Sequence, residues 1–344
     1  MQGIVWTEDK RLELREMEEP VIKHENDVKV KIYGTGICGT DLNLVKGKMT
    51  AKANMIIGHE AVGTVVETGK GVTNVSVGDR VVIDPTQFCG KCSYCRQGLT
   101  CFCDSFDEYQ LGIGAHGTFA DYYVGEDRFI YKIPDDMSWD TAILIEPLTC
   151  VLNIVTQAKL KPEDAVLVIG SGPIGAICQL VCSKIAGVTV AVELNPYRRE
   201  MSSRICDYAY FPDELTENEV HRINNGRKFD VIIDAVGNQM QKALPLAGKG
   251  CRLFAAGFDQ TYEMTINTFR FLENGISLIG TGEVHQMTES AVRYASKLKG
   301  LDELVTKKIP LSKYQEAFDE LLHVSQEGNA SGTMKLVLLS NITD

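Results

Sequence analysis

The stretch from Ala165 to Gly175 constrains this chain more than any other. The run Ala165-Val-Leu-Val-Ile169 has the length and composition of a strand buried on both faces. It leads without a break into Gly170-Ser171-Gly172-Pro173-Ile174-Gly175, and an apolar helical stretch follows to residue 186. A glycine motif of this kind says little by itself. Between a strand and a helix N-terminus it acquires a mechanical meaning. Gly170 permits the tight turn, Gly172 lets the backbone approach a pyrophosphate, and Gly175 lets helix and strand pack closely. Pro173 precedes the helix and Ile174 opens it, and its N-terminus offers N–H groups to phosphates. Such a unit calls for an acid at the end of its second strand, about 20 residues on. Glu193 stands there, closing Val190-Ala-Val-Glu193. Its carboxylate can accept hydrogen bonds from an adenosine ribose diol and repels a 2′-phosphate, which favours NAD over NADP. Arg198 and Arg199 follow closely, and an arginine there can instead face a phosphate, so Arg198 joins the cofactor-binding candidates.

The same alternation continues down the chain, with strands at 189–193, 231–235, 251–256 and 277–280 and a helix at 198–206. Buried strands that alternate with helices predict a doubly wound parallel sheet. The first third differs. Short β segments at 28–32, 61–68, 79–83 and 120–124, punctuated by glycine, predict a small irregular β-rich domain. The final apolar run, 335–339, reads as one more strand. A length of 344 residues suits two domains of ordinary size.

A net charge of −11 removes the basic face that nucleic-acid or anionic-membrane binding requires, so neither partner is expected. Residues 1–8 lack a basic segment followed by an apolar one, and no apolar run is long enough to span a bilayer. The cytoplasm is the expected location. Eleven cysteines, an odd number without an export signal, disfavour a disulfide framework. Cys89, Cys92 and Cys95, with Cys103 eight residues later, can instead wrap a loop around one tetrahedral ion. Zinc prefers such a closed set of thiolates. An iron–sulfur cluster uses the same donors, but nothing nearby suggests electron transfer. Cys101 also lies within reach of this loop. Cys178, Cys182, Cys206 and Cys251 read as core packing.

Three further pieces carry possible ligands: Gly36-Ile-Cys38-Gly-Thr40-Asp41, Gly58-His59-Glu60 and Ile145-Glu146-Pro147-Leu148. Each is ambiguous alone. Together with Gly78-Asp79-Arg80-Val81, the cysteine loop and the glycine turn, in this order, the chain resembles the zinc-dependent medium-chain dehydrogenase/reductase superfamily, in its polyol and threonine dehydrogenase branch. The resemblance covers essentially the whole length. It implies an α/β protein with a GroES-like β-rich catalytic domain over residues 1–146, a structural-zinc lobe at about 89–103, and completion of that domain by about 285–344. Residues 147–284 would form the NAD-binding Rossmann domain, with the active site in the cleft between the two.

Carried over position by position, Cys38 and His59 hold a catalytic zinc, and Glu60 is a ligand in some resting states. Glu146 occupies the place of a third, cysteine ligand in the alcohol dehydrogenase branch. Cys103 rather than Cys101 completes the structural site, giving two zinc ions per chain. An open zinc position lowers the pKa of a substrate hydroxyl, and hydride passes from the carbinol carbon to the nicotinamide. Thr40 matches the hydroxyl that accepts the alcohol proton. Asp41 either supports the metal histidine or caps the following helix. The substrate implied is a small hydroxylated molecule, a polyol, sugar alcohol or cyclitol. Homodimers or homotetramers, commonly joined through Rossmann sheet edges, are typical of such relatives.

The chain also departs from the pattern. Asn43 and Asn153 stand where many relatives carry histidines, and no Arg–Tyr pair follows the last Rossmann strand. These departures resemble cyclitol and aminocyclitol dehydrogenases. Glu283 and His285 could face a hydroxyl-rich substrate or be solvated loop residues. Two other functions fit parts of the pattern: an L-threonine 3-dehydrogenase-like activity, and a non-catalytic cofactor- or metal-binding sensor. The complete set Cys38, His59 and Glu146 speaks against the sensor.

Overall fold

In the computed structural model, which describes residues 1–282, 286–324 and 332–341, the strand Ala165–Ile169 lies inside a six-stranded parallel sheet. Val166, Leu167 and Val168 are fully buried, as a strand flanked on both edges and both faces must be. The order across the sheet is Tyr208–Tyr210, Val188–Val192, Ala165–Ile169, Phe229–Asp234, Ala247–Ala255 and Ser277–Gly280, every pair parallel. The chain therefore builds outward from Ala165–Ile169 in one direction, returns, and builds outward the other way. The point of return lies at the C-terminal end of the central strand, where the glycine turn begins. This sheet belongs to a compact unit of Cys150–Gly282 and Val324–Met334.

The helices around it start earlier than apolar periodicity suggests. The first spans Pro173–Cys182 and the second Pro196–Ile205. Proline fits the first helical turn because it has no N–H to satisfy there. Asn195 caps the second helix, its side chain accepting the Arg198 N–H at 3.1 Å.

A second unit comprises Met1–Thr149, Glu283–His323 and Lys335–Asp344. Its larger sheet runs Val305–Pro310, Lys335–Leu339, Asp27–Gly36, Glu60–Thr68, Arg80–Ile83 and Ile130–Lys132, with Tyr122–Glu126 also paired to Asp27–Gly36. The long strand Asp27–Gly36 changes partners along its length. Residues 27–31 pair with Tyr122–Glu126, and after two register shifts residues 34–36 pair with 337–339 of the C-terminal strand. Leu12–Glu16, Gln2–Trp6 and Met55–Ile56 make a smaller sheet, and neither N-terminal strand is anticipated by the sequence reading. Cys178, Cys182, Cys206 and Cys251 are buried in the core. No helix among the described residues is long and apolar enough to cross a membrane.

Candidate active site

The strand Asp27–Gly36 ends where the helix Gly39–Val45 begins, and Cys38 occupies the junction as N-cap. Asp41, in the first turn, accepts the Cys38 backbone N–H through Oδ2 at 2.8 Å. The carboxylate thus satisfies an orphan donor and faces the positive end of the helix. Its other oxygen lies 4.0 Å from His59 Nδ1. Of the two roles open in the sequence, the cap is formed, while the second carboxylate oxygen faces His59 beyond hydrogen-bond distance.

His59 directly precedes the strand Glu60–Thr68. The ligand atoms of Cys38, His59 and Glu60 all lie within 4.8 Å of one another. Thiol, imidazole and carboxylate are a donor set that zinc accepts. Thr40 Oγ1 sits 3.7 Å from Cys38 Sγ. Glu146, in the first turn of the helix Ile145–Ala158, is outside that trio but acts on it through charge. Burial pushes its carboxyl up to about 8, against the pull of His59, and Glu60 adds to the rise. Burial works against charge on His59, yet Cys38, Asp41 and Glu146 outweigh it and raise the imidazole well above its ordinary value. Burial likewise raises Asp41. Buried acids that lift one another are the environment a divalent cation relieves, so this donor set fits zinc.

Lys335 is the residue that sequence reasoning missed. It opens the C-terminal strand, and its Nζ forms an ion pair with Glu60 Oε2, both side chains 2% exposed. Nζ also donates to Ile37 O at 3.1 Å. Strand register brings them together, because Gly36 pairs with Glu60 on one side while Val337 pairs with Gly36 on the other. A Cβ at Gly36 would lie 2.2 Å from Glu60 Oε2 and 3.3 Å from Lys335 Cε, so only glycine leaves room for the pair. The available signal was a lone lysine heading the apolar run Leu336-Val-Leu-Leu339.

The sulfurs of Cys89, Cys92, Cys95 and Cys103 also lie within 4.8 Å of one another, and Cys101 is not of this set. Cys92 caps the short helix Ser93–Arg96, its sulfur accepting the Cys95 N–H at 3.4 Å. Backbone N–H groups of Lys91 and Cys92 point at Cys89 Sγ and lower its thiol to about 6. Burial and the neighbouring Cys92 sulfur push Cys95 the other way, to about 12. Four sulfurs this close cannot all be thiolates without a cation among them, which is the chemistry of a closed tetrahedral zinc site.

At the glycine turn, Gly170 has φ +88°, and a Cβ there would meet Val236 Cγ2 at 2.5 Å. A Cβ at Gly175 would lie 1.9 Å from Gly170 O, which is the close helix–strand approach expected. Gly172 is different: its nearest neighbour would be Arg198 Nη1 at 3.8 Å, so the backbone there is open to a ligand. Pro173 and Ile174 form the first turn of the helix behind it. Glu193, one residue past its strand, accepts the Ser171 N–H at 2.5 Å and the Asn195 N–H at 2.8 Å. Arg198 donates through Nη2 to Thr333 O at 3.2 Å, while its Nε is buried without a partner among the described residues. An open turn, a fixed carboxylate and an unsatisfied guanidinium N–H suit the adenosine and pyrophosphate parts of a dinucleotide. Asn153 is buried and accepts Gln157 Nε2 within its own helix. Glu283 and His285 lie outside the described residues.

Truncating one partner of a buried ion pair strands the other charge. Lys335→Met is therefore expected to cost about 3–5 kcal/mol of unfolding free energy in urea titrations. Lys335→Met combined with Glu60→Gln should recover much of that loss, and equal losses in single and double variants would contradict the pairing.

The alcohol dehydrogenase GroES-like domain matches residues 24–135 of this chain. Sorbitol dehydrogenase of Bacillus subtilis (strain 168) is 26% identical over 337 residues, covering 95% of each chain. D-xylulose reductase A of Aspergillus oryzae is 33% identical over 229 residues, 63% of this chain and 64% of that one. Among solved structures, the alcohol dehydrogenase rspB from E. coli CFT073, complexed with cofactor NADH, superposes with a TM-score of 0.88 at 26% identity, over 98% of this chain and 99% of that one. With the cysteine lobe, the Cys–His–Glu cluster and the parallel sheet in place, the chain carries an alcohol dehydrogenase GroES-like domain and is similar over nearly its whole length to dehydrogenases named for polyols.

Proposed function

We propose that this protein transfers hydride between the secondary alcohol of a polyol, sugar alcohol or cyclitol and NAD(H). The observation that carries the reading is the cluster of Cys38, His59 and Glu60, a zinc donor set of three protein ligands beside a threonine hydroxyl. The sorbitol and D-xylulose names of full-length and partial relatives supply the substrate class, and the NADH bound to the E. coli structure supports the cofactor. A threonine 3-dehydrogenase-like activity is not favoured, since those relatives are named for polyols or their ketoses.

Cys38, His59 and Glu60 would hold the catalytic ion, with Glu146 acting on them through charge, and Cys89, Cys92, Cys95 and Cys103 the structural one. Bound zinc supplies Lewis acidity toward a substrate hydroxyl, and NAD supplies the hydride acceptor. Asp41 orients His59 while fixing the Cys38 loop. Thr40 Oγ1 takes the proton that the alcohol releases. Asn43 has no titratable group, so the proton passes from Thr40 to solvent without a side-chain base at that position. Glu193 sets the preference for NAD by presenting a carboxylate where NADP would bring a phosphate.

The chain also carries the makings of a homo-oligomer. Ser277–Gly280 is an edge strand, paired with Ala247–Ala255 alone among the described residues. The preceding helix Thr268–Asn274 leaves Leu272 78% and Phe269 65% exposed, and Leu278 on the edge strand is exposed as well. An apolar edge of this kind is a liability unless a second copy covers it. An odd number of cysteines, four of them gathered as metal-ligand candidates, fits a reducing, cytoplasmic setting better than a disulfide framework.

Incubation with NAD and sorbitol, arabinitol, xylitol, inositols or L-threonine, followed by absorbance of reduced nicotinamide, tests the activity. Turnover is expected with at least one polyol or cyclitol and not with threonine. Zinc-loaded protein that oxidises no secondary alcohol would overturn the reading. For the assembly, analytical ultracentrifugation should find wild type as a dimer or tetramer and Leu272→Asp shifted toward monomer; a monomeric wild type contradicts it.

A further inference from the structure

Beneath the glycine turn lies a polar chain that neither the metal chemistry nor the direct cofactor contacts use. Ser171 and Gln179 are completely buried and Ser202 is 1% exposed. Gln179 Nε2 donates to Ser171 Oγ at 2.8 Å. The Ser171 and Ser202 hydroxyl oxygens are 2.8 Å apart, and Ser202 Oγ is 2.9 Å from Arg198 O. Each hydroxyl carries one hydrogen, so a single ordering satisfies every contact. The Gln179 amide donates to Ser171, the Ser171 hydroxyl donates to Ser202, and the Ser202 hydroxyl donates to the Arg198 carbonyl.

The chain joins three elements: the glycine turn through Ser171, the helix Pro173–Cys182 through Gln179, and the helix Pro196–Ile205 through Ser202 and Arg198. Its members adjoin Glu193, Gly172 and Arg198, the cofactor-binding candidates. The Ser171 backbone N–H holds Glu193, Gly172 follows Ser171, and the Arg198 carbonyl ends the relay. Gln179 Oε1 is buried with no partner among the described residues, a desolvation cost that an apolar side chain would avoid. Leucine and alanine would fill the same space, but they would leave the turn and the second helix joined only by non-directional packing. A connected chain of hydrogen bonds fixes distances that packing leaves adjustable.

We propose that Ser171, Gln179 and Ser202 are positioning residues for the nicotinamide cofactor, holding the glycine turn, Glu193 and Arg198 at the spacing the adenosine half requires. This rests on the NAD reading above. With their side chains buried and bonded to one another, the three residues set the affinity by pre-organising the groups around them.

The test is a fluorescence titration of NADH into the zinc-loaded wild type, Ser202→Ala, Gln179→Leu and the double variant. Each single variant is expected to weaken NADH binding about five- to tenfold, because part of the binding free energy then goes into ordering the site. The double variant should lose little more than either single one, since each cut breaks the same chain. In turnover assays KM for NAD should rise while kcat at saturating NAD stays within about twofold, a split that loss of folded protein does not produce. Dissociation constants within about twofold of wild type, with or without a fall in Tm, overturn the positioning role while leaving the cofactor reading intact. A wild type that binds no NADH overturns the cofactor reading and this proposal with it. Should Gln179→Leu fail to fold, Ser202→Ala removes only one oxygen and decides the question alone.

Discussion

The interaction on which the catalytic unit depends is the buried contact between Glu60 and Lys335. Two charges withdrawn from water each carry a desolvation cost that only close pairing and further hydrogen bonds offset. Here the lysine gains Glu60 and the Ile37 carbonyl, and the carboxylate gains a cation while staying within ligand distance of Cys38 and His59. The pair needs three neighbouring strands in one register and a glycine at position 36 to leave it space. The site at residues 38–60 is therefore incomplete without the C-terminal strand.

Charge accounts for the rest of that centre. Asp41, Glu60, Glu146 and the Cys38 thiol act on one another through charge, with Lys335 and His59 as compensating groups among the described residues. The cysteine lobe repeats the theme with sulfur alone. In both places local helix starts do part of the work: Asp41 caps the helix after Cys38, and Cys92 caps the short helix carrying Cys95. The cofactor unit follows a different principle. Its geometry comes from strand order, close glycine packing and a buried relay of neutral hydrogen bonds.

What could be read from the sequence was what is local along it. The glycine turn, Glu193 and the four-cysteine loop each lie within a few dozen residues, and their meaning follows from spacing. The central strand Ala165–Ile169, the edge strand Ser277–Gly280 and the last strand Lys335–Leu339 were legible because runs of apolar residues mark them. Helix starts were displaced where Asn195 and Pro196 outweighed apolar periodicity. The candidate donors for a catalytic metal came only through family resemblance, because Cys38, His59 and Glu146 have no common local pattern. Lys335 and the Ser171–Gln179–Ser202 chain stayed hidden, since their partners are set by strand pairing and helix packing between distant segments.

The central claim is that this chain builds two separate zinc sites, one from Cys38, His59 and carboxylate, the other from four thiols. Metal analysis of purified wild type, Cys38→Ser and Cys92→Ser tests it most directly. About two zinc ions per chain in wild type and about one in each variant are predicted, with polyol oxidation lost in Cys38→Ser. A Cys38→Ser protein that keeps the zinc content of wild type would contradict the account.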